Sequence, residues 1–134
     1  MKRKLSKGGK LKVLGTVQAG FAAPAEEELA DTITLSEYLI RHKDSTYLLK
    51  VEGESMIDAG IMPGDMVLFE RRYDTKPGDI VVALTEDGYT LKYLRKKKGR
   101  FFLEAANDAY PEFTPKEGQI IGVVTASFRT YFPQ

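Results

Sequence analysis

The chain has 134 residues, 43% of them hydrophobic and 29% charged, which is the profile of a single globular domain with room for a real core. No apolar run approaches the roughly 18–20 residues that cross a bilayer, and no apolar segment follows the basic start, so a membrane span and secretion are not expected. There is no cysteine for disulfide or thiolate chemistry, the expected location is cytoplasmic, and the net charge of +1 hides a polarity along the chain.

Residues 1–19 hold Lys2, Arg3, Lys4, Lys7, Lys10 and Lys12 and no acid. The remaining residues carry 14 bases against 19 acids, a side-chain charge of −5. Most short charged termini are simply solvated. The sharper reading is a weak electrostatic handle for DNA or another acidic partner, lost if the segment is removed. LKVLGTVQAGF, from Leu11 to Phe21, reads as an extended segment ending in small residues. AAPAEEELAD, from Ala22 to Asp31, reads as a linker. Its Glu26, Glu27 and Glu28 form a solvated face, because three consecutive carboxylates do not converge on one metal from a regular element.

TLSEYLIR, from Thr34 to Arg41, is the best helix candidate. Thr34 and Glu37 fit a capping box, and Leu35, Tyr38 and Leu39 make an apolar stripe. Strand-forming runs follow: TYLLKVEG, MVLFE, DIVVAL, GYTLKYLR, RFFLEA and QIIGVVTASF. PGD at 63–65 and again at 77–79 marks turns, and DG at 87–88 marks a hairpin. The expected fold is mostly β with one or two short helices and an extended N-terminal arm. The expected division is an arm over residues 1–30 and a β domain over 31–134.

Within this frame VEGESMIDAGIMPGD presents Ser55 between a Gly-Glu pair and a methionine. A hydroxyl nucleophile needs a base. The single histidine, His42, lies in the polar run RHKDS, and no nucleophile elbow is present, which removes a Ser-His-Asp arrangement. Lys92 in GYTLKYLR is the alternative. Period-2 alternation puts it on one face with Thr90 and Leu94, and if that face turns inward the amine is desolvated. Desolvation is required, since an unperturbed lysine is only about 0.04% neutral at pH 7. Lowering its pKa to ~7–8 takes roughly 3–4 kcal/mol, within reach of burial. Taken singly, a strand lysine is more often solvated and a serine beside glycine more often a turn residue.

The linked segments GESMIDAGIMPGD, KPGDIVVAL and YTLKYL resemble, in order and spacing, the Ser-Lys peptidase domain of the LexA/UmuD (peptidase S24) family of self-cleaving proteins. NDAYPEF at 107–113 resembles a later segment of that family. The resemblance covers about residues 16–125. It implies Ser55 as nucleophile and Lys92 as general base, with self-cleavage at an upstream small-residue–glycine bond, here Ala19-Gly20. The backbone amides near Glu54 and Ser55 are the candidate oxyanion donors, helped by a short helix expected from SMIDAG. Neither cofactor nor metal is implied.

The resemblance is greatest to UmuD, since 19 residues precede the bond and TVQAGFAAPAEEE is similar there. It then implies a homodimeric accessory subunit of an error-prone translesion polymerase, cleaved under stimulation by RecA filaments on single-stranded DNA and partnered by a UmuC-like subunit. The basic first twelve residues and alanine, rather than cysteine, before the glycine depart from that relative. The alternatives are a stand-alone LexA-like regulatory peptidase or transcriptional regulator, and a non-catalytic β-rich binding module. A membrane signal peptidase uses a similar dyad but needs an anchor.

Overall fold

The computed structural model describes residues 9–21 and 32–133. The expectations placed on the basic residues of 1–8 and on the linker with Glu26, Glu27 and Glu28 lie outside the described residues. The chain divides into two compact units, residues 1–41 and 42–134.

In the first unit, β1 (Lys10–Lys12) pairs antiparallel with β2 (Thr32–Thr34), with Leu11 opposite Ile33. Helix α1 (Leu35–Leu39) follows directly. The Thr34 hydroxyl accepts from the Glu37 amide at 3.1 Å, satisfying one of the free donors at the helix start as the capping pattern predicts. The helix is one turn and a half because Ile40 already leaves helical backbone at φ −110° and ψ 106°. Its expected apolar stripe is largely unburied: Leu35 and Tyr38 are exposed, and only Leu39 is half-buried.

The second unit is a six-stranded antiparallel sheet. Its strands are β3 (Thr46–Lys50), β4 (Met66–Arg71), β5 (Ile80–Thr85), β6 (Gly88–Lys97), β7 (Arg100–Glu104) and β8 (Ile120–Phe128). The spatial order is β3-β4-β8-β5-β6-β7, so the last strand enters between β4 and β5. The chain is mostly β, as the pattern of short β-branched and aromatic runs predicts.

Turn chemistry sets the register. Both PGD sequences fold alike: the Asp65 and Asp79 amides donate to the Met62 and Lys76 carbonyls, each at 3.0 Å. Each aspartate carboxylate then accepts from the amide three residues earlier, at 2.8 Å. Gly64 and Gly78 supply the positive φ these turns require. β5 and β6 are joined across Glu86-Asp87 with Thr85 opposite Gly88, the hairpin expected from DG. β6 and β7 are joined by Lys98-Gly99, both at positive φ, a two-residue turn whose twist suits the flanking strands.

Two apolar clusters hold the unit. One gathers Val51, Met56, Ile61, Val67 and Ala106, and the other Val81, Ala83, Leu94 and Leu103. The register of β8 shifts against both neighbours, at Leu68/Phe69 of β4 and at Val82/Ala83 of β5. Gly122 sits where these ladders crowd. A β-carbon there would run into the Glu70 carbonyl and would lie 2.7 Å from the Phe69 ring. Backbone cannot retreat like the end of a flexible side chain, so Gly122→Ala is expected to cost about 3 kcal/mol, the upper part of the range for overpacking. Urea unfolding measures it, and a loss below about 1 kcal/mol would contradict the packing described.

Candidate active site

Ser55 is set by the chain leaving β3. Pairing continues one step past the strand, with the Val51 amide donating to the Asp65 carbonyl at 2.7 Å and the Gly64 amide to the Val51 carbonyl at 2.8 Å. Gly53 then turns the backbone at φ +82°. Met56, 2% exposed, plugs the first apolar cluster and fixes the residue beside it. Ser55 is thereby left half-buried at the rim of a cavity of about 270 Å³, whose walls include Leu49, Val51, Tyr89 and Leu91.

The short helix expected from SMIDAG is a single 3-10 turn, Ile57–Ala59. Gly60 adopts left-handed backbone at φ 78° and ends it. One such turn has no appreciable macrodipole, so any oxyanion donors must act as individual amides. Below it, Asp65 is buried and receives the Arg129 guanidinium at 2.7 and 2.9 Å, while Arg129 Nη2 also reaches the Gly60 carbonyl at 3.2 Å. The Arg129 hydrogen bonds hold the Asp65 carboxyl below its ordinary range. This clamp ties the chain just after β8 to the turn that carries the serine. No local pattern in the sequence announces it.

Lys92 lies in the middle of β6, opposite Val81, and is 7% exposed. Thr90 and Leu94 share its face by alternation, and Leu94 is fully buried, so the face does turn inward. Burial pushes the Lys92 amine down from its usual 10.5. As an ammonium it donates to Thr90 Oγ1 at 2.8 Å, to the Leu91 carbonyl at 3.0 Å and to Ser55 Oγ at 3.2 Å. A neutral amine keeps two N–H groups and a lone pair. The Leu91 carbonyl can only accept and so keeps one of these N–H groups, whereas the Thr90 and Ser55 hydroxyls can each accept from the amine or donate to its lone pair. With the second N–H on Thr90, the lone pair can meet the Ser55 hydroxyl. The contact of Thr90 with the Lys92 amine has no local sign in the sequence, where Thr90 marks only the face.

The NDAYPEF segment meets the serine turn. The Asn107 side chain donates to the Glu54 carbonyl at 2.8 Å, and the Asp58 amide donates to the Ala106 carbonyl at 2.8 Å. Each of the other expected residues is placed within its own unit. Ala19 and Gly20 are exposed in a bend of the first unit, and Val17 and Phe21 on either side are 91% and 99% exposed. His42 is exposed ahead of a 3-10 turn, where its carbonyl accepts from Thr46 Oγ1 at 2.6 Å. Among the described residues no cluster of three or more His, Cys, Asp or Glu could hold a metal, and no helix is long and apolar enough to cross a membrane.

The family model described as peptidase S24-like matches residues 12–125. The chain belongs to this family. It is 37% identical over 119 residues to the LexA repressor of Clostridium kluyveri, covering 89% of this chain and 59% of the relative. It is 38% identical to the LexA repressor of Clostridium tetani, over 89% of this chain and 60% of that protein. The LexA repressor of Leptospira interrogans is 36% identical, again over 89% of this chain and 59% of the relative. The chain thus spans about three-fifths of the length of these curated relatives.

Proposed function

We propose that this chain is a self-cleaving regulatory peptidase of the LexA type. Residues 1–30 act as the arm that is cut and 31–134 as the peptidase domain. The observation that carries this reading is the buried Lys92 amine 3.2 Å from Ser55 Oγ, with its other two hydrogen bonds already taken. Neutral Lys92 removes the Ser55 proton, and Ser55 Oγ attacks the Ala19 carbonyl. The tetrahedral oxyanion is received by backbone amides around Glu54 and Ser55. Protonated Lys92 then delivers its proton to the Gly20 nitrogen as the C–N bond breaks. Water, deprotonated by Lys92, finally hydrolyses the ester between Ser55 and Ala19. Because substrate and catalyst share one chain, the attack draws on a high effective concentration and needs no tight substrate pocket.

The named relatives are repressors, which favours the regulatory peptidase over the polymerase-accessory reading that the UmuD resemblance put first. A cytoplasmic homodimer, cleaved faster in contact with a RecA filament on single-stranded DNA, follows from the same family reading. The test is a time course of the full chain with and without RecA, single-stranded DNA and a non-hydrolysable ATP analogue. Acceleration is expected. Cleavage at an unchanged rate would remove the filament from the scheme. Co-purification with a UmuC-like subunit, and not with operator DNA activity, would return the polymerase reading to first place.

A further inference from the structure

We infer that Asn107 is a positioning residue that orients the peptide between Glu54 and Ser55 and so aims the Ser55 amide as an oxyanion donor. The inference rests on the Ser55–Lys92 reading above. The Glu54 carbonyl has two donors, the Ile57 amide at a long 3.3 Å and Asn107 Nδ2 at 2.8 Å. The stronger contact therefore comes from a side chain 53 positions away. None of the described peptide bonds is cis, and in a planar trans peptide the C=O and the following N–H point in opposite directions. Whatever holds the Glu54 carbonyl therefore also fixes the Ser55 N–H.

The turn needs such a hold. Gly53, at φ +82°, enters it with the least intrinsic backbone restraint of any residue type. Asn107 is itself locked. Its Oδ1 accepts from the Ala109 amide at 3.0 Å and its carbonyl accepts from the Tyr110 amide at 3.1 Å. With Oδ1 committed to an N–H, the Nδ2 end has to be the one facing Glu54. The Asp58 amide bonded to the Ala106 carbonyl makes a second tie on the far side of Ser55. The serine turn is stapled on both flanks to residues 106–107, and only the Asn107 staple acts on the peptide that carries the Ser55 amide. The Lys92 amine is bonded to Thr90, Leu91 and Ser55 and not to Asn107, so loss of the Asn107 side chain leaves the base as it is.

The experiment compares self-cleavage of the full chain across pH 7–10.5 for wild type, Asn107→Ala and Asn107→Asp, with Ser55→Ala alongside. Asn107→Asp keeps the acceptor for the Ala109 amide and turns a carboxylate oxygen toward the Glu54 carbonyl. Loss of one oxyanion donor costs on the order of 100-fold. Both Asn107 variants are expected to lower the high-pH plateau by about that factor, Asn107→Asp at least as much as Asn107→Ala, with the midpoint of the pH profile unmoved. Plateaus within about threefold of wild type would overturn the role of Asn107, as would a midpoint shift that accounts for the loss. Variants without the folded near-ultraviolet circular dichroism of wild type would assign Asn107 to fold stability and overturn it as well. If Ser55→Ala cleaves like wild type, it is the Ser55–Lys92 reading that fails, and the two failures are told apart.

Discussion

Lys92→Arg is expected to stop self-cleavage as completely as Ser55→Ala, although it keeps a cationic hydrogen-bond donor at this position. The proposed step needs a lone pair on the side-chain nitrogen facing Ser55. A guanidinium does not give up its proton in a folded protein, so arginine supplies donors and never a base. It must also fit a wider head into a site that is 7% exposed and bordered by the Thr90 hydroxyl and the Leu91 carbonyl. Lys92→Ala removes the base outright, and Ser55→Ala removes the nucleophile. Each variant should fall by at least ~10³ in rate, the scale seen when one member of a catalytic unit is deleted. Intact-mass analysis over several days at pH 9 reads this directly. A Lys92→Arg chain that cleaves at the wild-type rate would show that Lys92 is not the base.

The unstimulated cleavage rate is expected to rise with pH, at most tenfold per unit below the depressed pKa of Lys92, and to level off above it. The sign follows from burial. The folded site disfavours the ammonium and lowers the pKa from 10.5, so the neutral, competent fraction grows as pH climbs through the lowered value. The same residue should make stability depend on pH in the same direction. Between the lowered pKa and 10.5 the unfolded chain holds the Lys92 proton that the folded chain has released, so folding gains as pH rises through that window. Lys92→Met should flatten that slope. A cleavage rate that falls from pH 7 to 10 in a chain still folded would point to another base.

Local pattern made much of this legible. The runs MVLFE, DIVVAL, GYTLKYLR, RFFLEA and QIIGVVTASF coincide with β4 to β8, because turn residues that tolerate few other conformations bracket each one. Period-2 alternation sufficed to put Lys92 on the face of Leu94, and the register against Val81 then buries it. The contacts that needed tertiary register were not readable. Arg129 lies 64 positions from Asp65, and Asn107 lies 53 from Glu54, so neither pairing has a local signature. Two local readings went too far. The α1 stripe has too few turns to bury Leu35 and Tyr38, and the helix expected in SMIDAG is cut off by Gly60 after one 3-10 turn.

Self-cleavage at Ala19-Gly20 is tested most directly by the identity of the bond that breaks. Purified full chain, incubated at alkaline pH without any other protein, is separated and its products are weighed and sequenced from their N-termini. Two products are expected, residues 1–19 and a larger fragment that begins at Gly20, with the Ser55→Ala chain left whole. A stable fragment beginning elsewhere, or the same fragment appearing from Ser55→Ala, would contradict it.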